Sequence, residues 1–226
     1  MELFTSDVAA VQGGLIILDL DGTLADTIHG IRDGVNLALT AYGFPTRSYE
    51  EIRRAIGNGA LELIRLSVPE EASHDAALVG RIYADYNRLY AETYSHCRIY
   101  DGMDGALTEL CRRGYTLAVL SNKQDAYVKS MVAELFGSDR IVLAQGQTDL
   151  PRKPDPTVPL MIAEQLGFSP VRTAFVGDSE VDVLTGKNAG MLSVACSWGY
   201  RDRDLLKGSA PDALLDAPVE LLELFR

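Results

Sequence analysis

Cysteine is scarce in this 226-residue chain: Cys97, Cys111 and Cys196 are widely spaced and form no C-x-x-C pair. An odd, scattered set argues against a disulfide framework or a zinc site, so the thiols read as small buried side chains in a reducing compartment. Positive charge is short as well. Lys and Arg total 21 against 32 Asp and Glu, a formal net charge of -11. That argues against non-specific nucleic-acid or anionic-membrane binding, both of which need concentrated positive charge. No apolar run approaches the ~20 residues needed to span a bilayer. The stretch Met1–Asp7 carries acids and no basic residue, so a secretory signal is not expected. Internal repeats and low-complexity segments are missing. The expectation is a soluble, cytoplasmic protein with neither nucleic-acid nor membrane partner, its oligomeric state left open between monomer and homodimer.

Hydrophobic residues at 47% and charged residues at 23% are ordinary globular values. The length suffices for a sizeable core without a staple. Leu15-Ile16-Ile17-Leu18 is an apolar run of the kind that forms a strand buried on both faces. Similar runs recur at Thr116–Leu120, Ile141–Ala144, Thr173–Val176 and Leu192–Ala195, with helical patterns at Asp104–Arg113, Asp125–Phe136 and Pro156–Leu166 between them. Strands alternating with helices predict an α/β fold, a doubly wound and mostly parallel sheet. The 74 residues from Asp26 to Ile99 break the rhythm, with helical patterning and no convincing strand. A crossover needs only a dozen or so residues, so an inserted α-helical domain is expected over 26–99, with the core at 1–25 and 100–226. Ser48-Tyr49-Glu50-Glu51 reads as a capping box. Gly57-Asn58-Gly59 breaks the pattern before a helix at Ala60–Ser67, and a longer helix follows from His74 to Tyr94.

Parallel sheets bind ligands at the carboxyl ends of their strands. After the first run come Asp19 and Asp21, then Gly22; after the second, Ser121-Asn122-Lys123; before the fourth, Lys153-Pro154; after the fourth, Asp178 and Asp182. Carboxylates beside a hydroxyl and a lysine suit a phosphate bound through Mg²⁺. Two carboxylates two residues apart can divide labour, one ionised and one carrying protons, when their surroundings separate their pKa values. Asp178 and Asp182, four apart at a helix start, are expected on one helical face.

These four motifs together resemble the haloacid dehalogenase superfamily, in its phosphatase branch with a helical cap inserted after the first motif. The resemblance runs from Leu15 to about Leu222 and implies a Rossmann-like catalytic core. It makes Asp19 the nucleophile and Asp21 the general acid and base. Mg²⁺ would be held by Asp19, the Asp21 backbone carbonyl and Asp178, with Asp182 supporting the site from behind. Ser121, Asn122 and Lys153 would bind the phosphoryl group. The finer similarity is to phosphoglycolate phosphatases, through Gly57-Asn58-Gly59 in the cap, Asn122-Lys123 and Trp198-Gly199-Tyr200. It implies hydrolysis of small phosphate monoesters, 2-phosphoglycolate among them, with the cap turn touching substrate. A phosphomutase of the β-phosphoglucomutase type and a noncatalytic binding protein are the alternatives. Haloacid dehalogenases lack the second carboxylate of the first motif, present here as Asp21. Phosphonoacetaldehyde hydrolases need a cap lysine, and all five lysines of this chain follow residue 120.

Overall fold

The computed structural model describes residues 2–3, 10–137 and 139–226. Of the Met1–Asp7 stretch, only Glu2 and Leu3 fall within the described residues. In chain order the elements begin with β1 (Glu2–Leu3), β2 (Leu15–Leu18) and β3 (Ala25–Asp26). Five helices follow: α1 (Ile28–Ala41), α2 (Tyr49–Ala55), α3 (Ala60–Ser67), α4 (Glu70–Ser73) and α5 (Ala76–Tyr90). Then come β4 (Arg98–Ile99), α6 (Met103–Arg112), β5 (Thr116–Gln124), α7 (Asp125–Phe136) and β6 (Ile141–Gln147). The chain closes with α8 (Thr157–Gln165), β7 (Thr173–Gly177), α9 (Glu180–Asn188), β8 (Leu192–Cys196), α10 (Arg203–Gly208), β9 (Ala213–Leu215) and α11 (Leu221–Leu224). It divides into two compact units, Met1–Ala25 with Ile99–Arg226, and Asp26–Arg98.

The first unit is built on a sheet of order β1-β9-β8-β7-β2-β5-β6. All neighbours are parallel except β1, which runs antiparallel to β9. The α/β class and the mostly parallel sheet are as the sequence predicts. From β2 the chain builds outward through β5 to β6, then returns across β2 to build β7, β8 and β9 on the other side. The order reverses at β2, and the crevice beyond that strand's carboxyl end is where doubly wound sheets bind ligands. Register makes the rim level: Leu18 pairs with both Val119 and Val176. Asp19, Ser121 and Asp178 therefore lie along one rim of the sheet.

All four residues of β2 are buried, the signature of a strand covered on both faces. One face carries Leu15, Ile17, Ala118, Leu120 and Phe175, against which α8 sets Val158, Ile162 and Ala163. Val183, Ala195, Leu206 and Leu214 form a second cluster. The second unit is helical. Its longest helices, α1 and α5, pack together, α1 burying Ile28, Ile31, Val35, Ala38 and Leu39 at helical spacing. The Tyr86 and Tyr90 rings stack at 5.4 Å over the side-chain-free surface of Gly34. The capping box is formed, Ser48 and Glu51 each accepting the other's backbone N–H. Among the described residues no helix is long and apolar enough to cross a membrane.

Phe175 is fully buried beneath α8 at the centre of the sheet, so Phe175→Ala leaves a large void. Truncation of a buried Phe costs about 3–5 kcal/mol, to be read from urea unfolding; a loss under about 1 kcal/mol would contradict the packing described.

Candidate active site

At the end of β2 the chain turns, and the Asp19 N–H donates to the Val176 carbonyl at 2.9 Å, fixing Asp19 in line with β7. Gly22 follows with φ 85°. A Cβ there would come within 2.3 Å of Asp178 Oδ2, and one on Gly199 would come as close to the Asp178 Cβ. Two glycines thus let the Asp19–Thr23 turn and the Trp198–Tyr200 loop close on Asp178. The Tyr200 N–H donates to Asp178 Oδ2 at 2.7 Å and the Thr23 hydroxyl to Oδ1 at 3.4 Å. Trp198 Nε1 ties the same turn down through the Thr23 carbonyl at 3.0 Å.

Asp182 sits in the first turn of α9, and both of its oxygens are occupied. Oδ1 accepts from Lys153 Nζ at 2.7 Å, and Oδ2 from the Ser179 hydroxyl and N–H in a second capping box. Lys153 Nζ also lies 2.9 Å from Asp19 Oδ1, yet off the hydrogen-bonding direction, so that buried oxygen accepts no hydrogen bond. Asn122 brackets the lysine from below: its Oδ1 accepts the Lys153 N–H at 2.9 Å and its Nδ2 donates to the Lys153 carbonyl at 3.2 Å. Lys123 Nζ lies 3.0 and 3.2 Å from the two oxygens of Asp21.

The electrostatics are those of an acid surplus. Burial pushes the Asp19 carboxyl up to about 6, with the Asp182 and Asp21 charges adding to the shift and Lys153 opposing it. Burial likewise lifts Asp178 well above the carboxylate range, helped by Asp182 and Asp19. Burial alone would lower Lys153, but Asp182 and Asp19 outweigh it and hold the ammonium protonated. Four carboxylates, Asp19, Asp21, Asp178 and Asp182, thus face the ammonium groups of Lys123 and Lys153, while nearby Arg201 is paired with Glu180 at 3.2 Å. With all four acids ionised the deficit is two charges, which a divalent cation would balance. Asp19, Asp178 and Asp182 each place an oxygen within 4.8 Å of the others, a set of hard oxygen donors of the kind Mg²⁺ or Ca²⁺ takes. An orphaned carboxylate oxygen in a buried site calls for a partner, and a cation would supply it.

The structure brings together Asp19, Asp21, Ser121, Asn122, Lys153, Asp178 and Asp182. Three details differ from the sequence reading. Asp178 precedes the N-cap Ser179 and is outside α9, so the loop and its glycine neighbours, rather than a helical face, bring it to Asp182. β5 continues through Ser121-Asn122-Lys123 to Gln124, because Gln124 still pairs with Gln147 of β6. The Asn122 amide bonds the Lys153 backbone through both Oδ1 and Nδ2, so that side chain also supports the lysine. Gly57-Asn58-Gly59 belongs to the second unit, where Gly59 (φ 83°) opens α3. Two of the flanking arginines are paired locally, Arg53 with Glu50 at 3.1 Å and Arg65 with Glu62 at 2.6 Å. Sequence reasoning missed Thr23 and Ser179 as supports, although Ser179-x-x-Asp182 is a readable capping-box pattern. It also missed the Lys123–Asp21 pair, for which no local pattern exists.

Residues 16–196 match the family model described as haloacid dehalogenase-like hydrolase. The chain is 31% identical over 214 residues to phosphoglycolate phosphatase 1 of Pseudomonas aeruginosa, covering 92% of this chain and 78% of that one. It is 30% identical over 216 residues to a phosphoglycolate phosphatase of Vibrio vulnificus, covering 93% and 95% respectively. The crystal structure of a predicted phosphoglycolate phosphatase from Haemophilus somnus superposes with a TM-score of 0.84 at 28% identity, covering 94% of this chain and 98% of that one. With its motifs gathered on one sheet rim and its sequence matched over most of its length, the chain belongs to the haloacid dehalogenase-like hydrolase family.

Proposed function

We propose that this protein is a Mg²⁺-dependent phosphatase that hydrolyses small phosphate monoesters, 2-phosphoglycolate among them, through a phosphorylated Asp19. The observation that carries the reading is Asp19 itself: buried, ion-paired to Lys153 at 2.9 Å, and left with an oxygen that accepts no hydrogen bond. A buried carboxylate oxygen left out of structural hydrogen bonding is one available for chemistry. The curated relatives named above, both phosphoglycolate phosphatases, support the substrate class.

Asp19 and Asp178, with the Asp21 backbone carbonyl, would hold Mg²⁺, whose charge offsets the repulsion between a carboxylate nucleophile and a phosphate dianion. Asp182 is the anchor for Lys153, since its two oxygens are already engaged. Lys153 then offers its ammonium to a phosphate oxygen beside Asp19, and Ser121 its hydroxyl. Asp21 gives a proton to the leaving oxygen, and afterwards takes one from the water that attacks the acyl-phosphate at phosphorus. Residues 100–226 with 1–25 act as the catalytic core in this scheme, and 26–99 as a cap whose Gly57-Asn58-Gly59 turn meets the substrate. Support for the cap role is its place in the chain, inserted directly after the nucleophile turn.

Asp19→Asn should reduce turnover of p-nitrophenyl phosphate by several powers of ten while the circular dichroism spectrum is unchanged, because an amide cannot form the acyl-phosphate. Substantial remaining activity would overturn the assignment.

Mg²⁺ should raise the melting temperature of the wild-type protein. Asp178→Asn should abolish that rise and leave the metal-free protein at least as stable, because it removes a buried charge that burial and its neighbours disfavour. An equal Mg²⁺ response in the variant would remove Asp178 from the metal site.

Asn58→Ala should lower kcat/KM for 2-phosphoglycolate about 10-fold, the scale of one hydrogen bond, and affect p-nitrophenyl phosphate much less. Equal effects on the two esters would exclude the turn from substrate recognition.

A further inference from the structure

Lys123 is a half-buried cation to which the chemistry above gives no task. Its side chain is 7% exposed and that of Asp21 15%, so this pair is largely shielded from water. Exposed ion pairs contribute little, whereas taking two charges out of solvent costs several kcal/mol per ion unless the geometry repays it. Here one ammonium spans both oxygens of one carboxylate, at 3.0 and 3.2 Å. The terminal torsion of an aspartate is broad and roughly two-fold, so the Asp21 side chain has no preferred carboxylate orientation of its own. Contact with both oxygens supplies one.

The lysine can do this because its own main chain is held. The Lys123 N–H donates to the Ser121 hydroxyl at 3.4 Å, and the next residue, Gln124, is in register with Gln147 of β6. Asp21 is fixed at its backbone too, by a bridge to Ala25 and the adjacent bond from the Gly22 N–H to the Ala25 carbonyl at 2.9 Å. Lys123 then acts on its carboxylate. The two lysines also divide the acids. Lys153 serves Asp19 and Asp182, and Lys123 serves Asp21, so the nucleophile and the proton carrier have separate counter-charges.

We propose that Lys123 is a positioning residue that fixes the Asp21 carboxylate in the orientation from which it serves the leaving oxygen. The inference rests on the phosphatase reading above and assigns Lys123 no proton transfer and no contact with phosphorus.

The test compares wild type, Lys123→Met, Lys123→Arg, Asp21→Asn and the double variant Lys123→Met/Asp21→Asn, with Mg²⁺, on p-nitrophenyl phosphate and on a simple alkyl phosphate. The alkyl ester has a poor leaving group and depends on Asp21. Lys123→Met should lower its kcat roughly 10- to 100-fold, the range for a charge-assisted hydrogen bond. KM should stay within about two-fold, and the loss on the nitrophenyl ester should be smaller. Lys123→Arg should recover most of the loss, and adding Lys123→Met to Asp21→Asn should change little, since residues that act through one another are not additive. Should Lys123→Met fail to fold by circular dichroism, Lys123→Gln takes its place in every comparison. Equal losses on both esters, a full multiplicative loss in the double variant, or a raised KM at constant kcat would each overturn the assignment. An active wild type with an indifferent Lys123 variant overturns this inference alone; a wild type inert on both esters overturns the phosphatase reading beneath it.

Discussion

Holding Asp19, Asp178 and Asp182 within 4.8 Å of one another in the interior is the constraint around which the catalytic unit is arranged. Like charges at that separation in a medium of low dielectric repel strongly, and burial alone disfavours each of them. The fold meets the constraint with Lys153, which lies against two of the three acids, and with donors fixed on the third. Much of the surrounding sequence serves that arrangement. Asn122 grips the lysine backbone on both sides, Ser179 closes a capping box on Asp182, and Tyr200 with Thr23 steadies Asp178. Glycine at 22 and 199 leaves the room in which these segments meet.

Sheet topology delivers the acids to one place. Because β2 has β5 on one side and β7 on the other, their carboxyl ends share a rim, and residues separated by more than 150 positions, such as Thr23 and Asp178, come into hydrogen-bond contact. Parallel register keeps that rim level, so a carboxylate one residue past each strand lands beside its neighbours. The helical insertion enters the chain after the nucleophile turn and leaves before β5, where added length disturbs neither β2 nor its pairing partners.

Local patterning made much of this legible. β2 at Leu15–Leu18, α3 at Ala60–Ser67 and α7 at Asp125–Phe136 follow from apolar periodicity, and the acids follow from their places after apolar runs. What sequence could not supply is geometry between distant segments. The carboxamide of Asn122 has the chemistry of a phosphate ligand, and its bonds to the Lys153 loop 31 residues on cannot be read from either segment. Asp178 and Asp182 have helical spacing, but the capping serine between them starts the helix at Glu180, two residues too late for Asp178 to join it. Strands β1 and β9, two and three residues long, are too short to carry a period and exist through their pairing. The Lys123–Asp21 pair spans 102 positions and leaves no trace in either local sequence.

The central claim is that the buried Asp19 carboxylate, held beside Lys153, attacks phosphorus. Rapid quenching of the enzyme in acid during turnover of a phosphate ester with Mg²⁺, followed by digestion and mass spectrometry, tests it directly. The account predicts one phosphoryl group, labile to hydroxylamine, on the peptide containing Asp19 and absent from Asp19→Asn. Steady turnover with the phosphoryl group on another residue, or with Asp19→Asn as active as wild type, would contradict it.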